Sequence, residues 1–294
     1  VVVGDVNATL ACSVTAKKLS IKVCHIEAGL RSGDITMPEE INRLVTDRLS
    51  DLLLVPDRLS GINLENEGVP KNKISFVGNI MIDTLEANRS KAEKLSIKSI
   101  INDNTLSDQT DAPLSNPFAL VTMHRPSNVD SIEVLKPLIN FLTNDVTNDM
   151  QIIWPLHPRT QSRLKEFGLL NNLFANEKII LLHPIGYHEM LKLNSQAHVI
   201  LTDSGGLQEE SCVIGTPCLT LRWNTERPIT LRENGGASVL VGNNVERIRE
   251  EYLSTLQLKR VPQIPELWDG ATATRCVEAI LNFKRDEKQG GYHK

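Results

Sequence analysis

Short runs of apolar and β-branched residues recur along the chain, separated by stretches in which apolar residues return every three to four positions. The first pattern predicts β-strands and the second amphipathic helices. Strands are expected over residues 1–3, 22–26, 51–55, 74–77, 118–122, 151–154, 178–182, 198–202, 216–221 and 237–241. Helices are expected over 7–18, 57–67, 131–146, 159–170, 188–195, 245–256 and 272–283. This alternation predicts an α/β fold, with parallel sheets wrapped by helices. Residues 86–117 break the rhythm. They are rich in Asn, Asp, Ser, Lys and Thr, end in "APLSNP", and read as a linker after a helix. The linker divides the chain into domains 1–114 and 115–294. The first part opens directly in "VVVGD", an apolar strand with a polar motif at its carboxyl end. That opening raises the expectation that strands precede Val1, so that the first domain is N-terminally truncated and its first strand lies on an exposed sheet edge.

Length and composition fit this picture. The chain has 294 residues, 40% of them hydrophobic and 23% charged, enough to bury the cores of two domains. A net charge of -4 gives no basic field for a nucleic-acid partner. No apolar run approaches the roughly 18 residues of a membrane helix. The five cysteines, Cys12, Cys24, Cys212, Cys218 and Cys276, are odd in number and form no C-x-x-C pair. Most sit among apolar neighbours, as thiols do in a reducing, cytoplasmic compartment. There is no H-x-x-x-H and no Cys/His cluster, so no metal is expected. G-x-G-x-x-G, G-x-S-x-G and G-x-x-x-x-G-K-[ST] are also missing, which leaves NAD binding, α/β-hydrolase chemistry and P-loop chemistry without support.

In open parallel sheets, ligands bind beyond the carboxyl ends of the strands. Those positions here are polar. Gly4 and Asp5 follow the first strand, Glu27 follows the second, and Glu39 comes soon after in "MPEEINR". His124 and Arg125 follow the strand at 118–122, and His157 follows that at 151–154. In "HVILTDSGGLQEESCVIGTP", Ser204, Gly205 and Gly206 stand where a strand passes into a helix, with Glu209 and Glu210 soon after. A helix N-terminus with glycines lets an anion, above all a phosphate, approach the backbone N–H groups. A carboxylate in that first turn can accept from ribose hydroxyls. The same residues also serve as an ordinary cap, with Asp203 or Ser204 as N-cap and an acidic first turn. Asp5, Glu27 and Glu39 are candidates for acid–base work, although each alone also fits a helix cap, Glu39 especially, because it follows Pro38. His124 and His157 serve equally as structural hydrogen-bonders.

The strings "GDVNAT", "HIEAGLRSGDITMPEEINRLVTD", "FVGNIMIDTL", "VTMHRPSNVD", "LTDSGGLQEE", "NTERPIT" and "PELWDG" run in order along nearly the whole chain. In them the sequence resembles the non-hydrolysing UDP-N-acetylglucosamine 2-epimerases. The resemblance implies two Rossmann-like domains facing across a cleft in the glycosyltransferase-B arrangement, usually as a homodimer. It implies that the final helix crosses back onto the first domain. It assigns Asp5, Glu27, Glu39 and His124 to catalysis. Ser204, Gly205 and Gly206 would hold the UDP phosphates and Glu210 the ribose, and Arg227 is a further candidate for binding the UDP-sugar in the cleft. Arg125 and His157 match positions that contact a second, activating substrate molecule in bacterial members. The implied reaction removes the C2 proton while UDP leaves C1, then re-adds UDP and delivers a proton to the opposite face. It needs no metal or redox cofactor.

Two departures qualify the match. The strand and G-T-R-P-E-type loop that open the family are missing, so residues 1–294 alone are expected to bind UDP through 115–294 without epimerising. Where many members read H-R-R-E-N, this chain has His124-Arg125-Pro126-Ser127-Asn128, which puts the activator site in question. A UDP-diacetamido sugar or uronic acid substrate, a hydrolysing 2-epimerase, and a non-catalytic UDP-sugar-binding fragment remain open as alternatives.

Overall fold

The computed structural model describes residues 1–106 and 117–290, with side chains placed up to Phe283. The chain folds as two compact units. The first comprises Val1–Ala87, Asn224–Ile229 and the stretch from Ile264 onward. The second comprises Asn88–Trp223 and Thr230–Gln263.

The first unit is built on four parallel strands in the order β1 (Val2–Val3), β2 (Cys24–Ile26), β3 (Leu52–Val55) and β4 (Ile74–Phe76). β3 reads "LLLV" because both of its faces are covered, as in any central parallel strand. Leu52 and Leu54 pack with Cys24, Val77 and Cys276, against Ile280 and Phe283 of helix Thr272–Gly290. Leu53 and Val55 pack on the other side with Ala28 and Leu64. β1 pairs only with β2 among the described residues, and Val1 and Val3 are 72% and 48% exposed. The segment before helix Thr272–Gly290 is fixed by Trp268, which is buried and donates from Nε1 to the Pro56 carbonyl at 3.0 Å. Asp83 accepts from the Thr272 and Ala273 N–H groups at 3.0 and 2.7 Å and so caps that helix.

The second unit carries six parallel strands in the spatial order β10-β9-β8-β5-β6-β7. They are β5 (Phe118–Thr122), β6 (Gln151–Pro155), β7 (Ile179–Leu182), β8 (Val199–Thr202), β9 (Cys218–Thr220) and β10 (Ser238–Leu240). From β5 the chain moves outward through β6 and β7, then returns to β8 on the other side of β5. The carboxyl ends of β5 and β8 therefore flank a topological switch point, the favoured ligand position of such sheets. Alternate residues of β5 feed opposite cores: Ala119 and Val121 on one face, Phe118 and Leu120 on the other.

Every expected strand is present, but the linker expectation is not met over the described residues. Helix Ile80–Glu93 runs through Glu86, and helix Ile97–Asn104 follows it. Ile100 and Ile101 of the latter are buried against Phe118 and Leu120, so a polar-looking segment covers one face of the sheet. The rest of the expected linker, 107–116, lies outside the described residues. The second unit accordingly begins at Asn88, inside a helix, and not at 115. Helix Pro38–Leu49 was hidden from apolar periodicity for another reason: its buried residues are Glu40, Asn42, Arg43, Thr46 and Asp47. The expected helix at 131–146 is α-helical over Ile132–Phe141 and continues as a π-helical turn, Leu142–Val146. Among the described residues no helix is long and apolar enough to cross a membrane.

Candidate functional site

In the first unit, Gly4 and Glu27 stand side by side because β1 and β2 are parallel neighbours with Val3 opposite Ile26. Both leave their strands in left-handed backbone, Gly4 at φ +69° and Glu27 at φ +68°. That conformation is routine for glycine and costs about 1 kcal/mol for a residue with a Cβ. A Cβ at position 4 would lie 3.8 Å from Glu27 Oε2, so the Glu27 carboxylate turns back toward the Gly4-Asp5 turn. Burial pushes the Glu27 carboxyl above its ordinary value, the nearby positive Arg227 opposes that shift, and the negative Asp5 adds to it. Asp5, Glu27 and Arg227 therefore form one electrostatic cluster within this unit.

Polar residues of helix Pro38–Leu49 support the cluster from beneath. The Arg43 guanidinium pairs with Asp5 and also with Glu40, donating to the latter from Nε at 3.0 Å and Nη2 at 2.6 Å. Asn42 donates from Nδ2 to the Asp5 carbonyl at 2.8 Å. Glu40 is buried and accepts from the Ser32 and Gly33 N–H groups. Burial alone would raise its pKa, but those N–H groups and Arg43 together hold it below the ordinary value. Glu40 is thus committed to shaping the loop before the helix. Glu39, its neighbour, is exposed in the helix's first turn and has no hydrogen-bond or ion-pair partner among the described residues. Among the described residues no hydrogen bond or ion pair ties it to Asp5 or Glu27.

In the second unit the switch point is organised by Asp203, which is fully buried one residue past β8. Its carboxylate accepts from the His124 N–H at 3.0 Å, the Arg125 N–H at 2.9 Å and Asn128 Nδ2 at 3.1 Å. His124 Nδ1 lies 2.9 Å away. Burial alone would raise the Asp203 pKa, but the His124 ring and these N–H donors outweigh it and leave it lowered. Arg125 closes the ring by donating from Nε to the Asp203 carbonyl at 2.9 Å. His157 stands beside His124, with ring centroids 5.5 Å apart. Its Nδ1 accepts the Arg159 N–H and so caps helix Pro158–Glu166.

The next residue, Ser204, is the N-cap of helix Gly205–Ile214. The choice between Asp203 and Ser204 as cap thus falls on Ser204, while Asp203 orients His124 and Arg125. The first N–H groups of any helix have no partners within it. A Cβ at Gly206 would meet nothing within 4 Å, so open space lies over this end of the helix. Glu210 is buried one turn further on. Burial raises its pKa, and the Tyr187 and Asn194 side chains oppose that shift. His124, Arg125, His157, Ser204, Gly205 and Gly206 thus gather at one end of the second sheet, with Glu210 one turn further along the helix.

The residues that sequence reading passed over are Asp203 as an organiser, Arg43 as the partner of Asp5, and the buried pair His25 and Asp47. Arg43 and Asp47 lie one and two turns after Glu39 and Glu40 on the helix that buries polar residues, and that polar periodicity was their only signal in the sequence.

Two parallel sheets, one ending in an acidic cluster and the other in a helix N-terminus open to an anion, define an α/β protein of two Rossmann-like domains. The match to relatives is more particular. The sequence profile of the UDP-N-acetylglucosamine 2-epimerase family matches residues 1–281, and the chain belongs to that family. It is 44% identical over 285 residues to the UDP-N-acetylglucosamine 2-epimerase of Methanocaldococcus jannaschii, covering 97% of this chain and 75% of the relative. It is 35% identical to the UDP-2,3-diacetamido-2,3-dideoxy-D-glucuronate 2-epimerase of Pseudomonas aeruginosa, covering 95% of this chain and 73% of that one. The crystal structure of the M. jannaschii enzyme in complex with UDP-GlcNAc and UDP superposes with a TM-score of 0.83 at 41% identity, over 95% of this chain and 74% of that one.

Proposed function

We propose that this protein interconverts UDP-N-acetylglucosamine and UDP-N-acetylmannosamine without hydrolysis. The observation that carries the proposal is the carboxylate pair Asp5 and Glu27 beside Arg227. It stands in a chain 44% identical to a relative named UDP-N-acetylglucosamine 2-epimerase, well above the 35% shared with the diacetamido-sugar enzyme. Inversion at C2 needs one group to take a proton from one face and another to return it to the other face. As the C2–H bond breaks, its electron pair forms the C1–C2 double bond, and the C1–O bond breaks with its pair leaving on UDP. Re-addition of UDP to C1 and protonation of C2 on the opposite face complete the cycle.

Glu27 is suited to the proton-holding role, since burial favours its neutral form. Asp5, Glu39 and His124 are the other candidates for proton transfer. UDP must stay bound between the two half-reactions. Ser204, Gly205 and Gly206 at the helix N-terminus hold its diphosphate, and Glu210 accepts from the ribose. Arg227 offsets negative charge near Glu27. Arg125 and His157 are the candidates for contact with a second, activating UDP-sugar molecule. The chemistry calls on no metal or redox cofactor. A homodimer is the assembly state that fits the family resemblance, and five free cysteines, four of them buried, fit a reducing cytoplasm.

The test is product analysis with the full-length protein. UDP-N-acetylmannosamine should accumulate to equilibrium with UDP-N-acetylglucosamine. Free N-acetylmannosamine released together with stoichiometric UDP would overturn the non-hydrolysing reading.

A further inference from the structure

Glu27 holds an unfavourable backbone conformation, and the residues on both sides of it converge on one buried carboxylate. Asp47, from helix Pro38–Leu49, is almost wholly buried. Its Oδ1 lies 2.6 Å from His25 Nδ1, two residues before Glu27, and its Oδ2 accepts the Gly29 N–H at 3.0 Å, two residues after it. Arg31 completes the set at 2.7 Å from Oδ2 and is itself paired with Glu67. His25 is fully buried, and its second ring nitrogen, Nε2, donates to the Gly4 carbonyl at 2.9 Å. One pair of side chains therefore grips the backbone before Glu27, after Glu27 and immediately before Asp5. Gly29 cannot slip, because a Cβ there would fall 2.3 Å from the Ser60 carbonyl oxygen, so the loop is already pressed against its neighbour.

We infer that Asp47 and His25 are positioning residues that set the Glu27 and Asp5 carboxylates in register for proton transfer. The inference rests on the epimerase reading for its kinetic consequence, but its geometric content is independent of that reading. Neither residue reaches the surface where a sugar would sit. Their effect passes through the φ of Glu27 and the Gly4-Asp5 turn, and a misplacement of about 1 Å in a reacting group costs on the order of 100-fold in rate.

The test compares Asp47→Asn and His25→Asn with wild type in full-length protein, alone and combined with Glu27→Gln. Asn at 47 cannot accept from both His25 and Gly29 in the same way, and Asn at 25 cannot span both Asp47 and Gly4. Each single variant should lower kcat by roughly 10- to 100-fold while UDP affinity stays within about 2-fold. In the Glu27→Gln background the two losses should be clearly less than additive, because one of the two groups being positioned is already gone. Additive losses in the double variants, or unchanged kcat in both single variants, would overturn the inference. Crystal structures of the two single variants supply a readout that needs no turnover: Glu27 should leave its left-handed conformation. If wild type itself shows no turnover, the epimerase reading falls and the crystal structures alone decide. Glu27 still near φ +68° in both variants would refute the positioning role. If neither variant folds, the pair is scaffold, and that too overturns the inference.

Discussion

Replacing Asp203 by Asn probes the second unit at its most concentrated point. The wild-type carboxylate collects donors from the His124 N–H, the Arg125 N–H, Asn128 Nδ2 and the His124 ring while fully buried. An amide keeps one acceptor oxygen and turns an NH2 toward groups that are themselves donors. At least two of these contacts are then lost or opposed. A hydrogen bond to a charged group contributes about 1.5–3 kcal/mol, so the substitution should destabilise the unit by about 3 kcal/mol or somewhat more. For a unit of this size, 1 kcal/mol moves Tm by about 2–4 °C, which gives a drop of roughly 6–12 °C by differential scanning calorimetry at pH 7. The pH dependence has a definite sign. The folded-state pKa of Asp203 is lowered from 3.8, so its stabilisation is present above 3.8 and is lost only as pH falls through the lower folded value. The Tm gap between wild type and Asp203→Asn should hold at every pH above 3.8 and close below it. A gap absent at pH 7, or one that closes between pH 7 and 5, would refute the view that an ionised Asp203 organises the switch point.

Three further substitutions address other links in the account. Gly29→Ala adds a Cβ 2.3 Å from the Ser60 carbonyl oxygen at a backbone φ of +80°, and should lower stability by about 2 kcal/mol or more in urea denaturation; a neutral result would mean the loop moves aside freely. The Glu27 carboxyl is raised above 4.5, so its stabilising effect is present below 4.5 and is lost as pH rises through the folded value. Glu27→Gln escapes that loss, and thermal melts should show the variant gaining on wild type as pH increases from 4.5; a pH-independent difference would contradict the burial argument. Glu210→Gln should weaken UDP binding by about 10- to 100-fold in isothermal titration calorimetry, since a charged acceptor for the ribose is lost; unchanged affinity would remove Glu210 from the nucleotide site.

The strands were legible because central parallel strands are apolar on both faces, and "LLLV" at β3 or "FALVT" at β5 is hard to read otherwise. Ser204, Gly205 and Gly206 were legible as a strand-to-helix turn. The helix that matters most to the first unit was not, because it turns Glu40, Asn42, Arg43, Thr46 and Asp47 inward and so inverts the polarity on which periodicity depends. For the same reason "PEEINR" could not show which glutamate is buried: the structure buries Glu40 and exposes Glu39. The segment around Ile100 and Ile101 reads as linker because its apolar anchors, Leu95, Ile97, Ile100 and Ile101, stand among polar residues, and what they cover, Phe118 and Leu120, comes later in the chain. The His25–Asp47 and His124–Asp203 pairs join residues 22 and 79 positions apart, a relation only the sheet topology creates.

The central claim, that carboxylates of the first unit move a proton at C2 of a UDP-sugar, is tested most directly by incubating the full-length protein with UDP-N-acetylglucosamine in deuterated water and following H2 by proton NMR. The account predicts loss of the H2 signal in both epimers as UDP-N-acetylmannosamine appears, with that exchange sharply reduced in Asp5→Asn and Glu27→Gln. Epimer formation that retains the original hydrogen at C2, or exchange at wild-type rate in both variants, would contradict it.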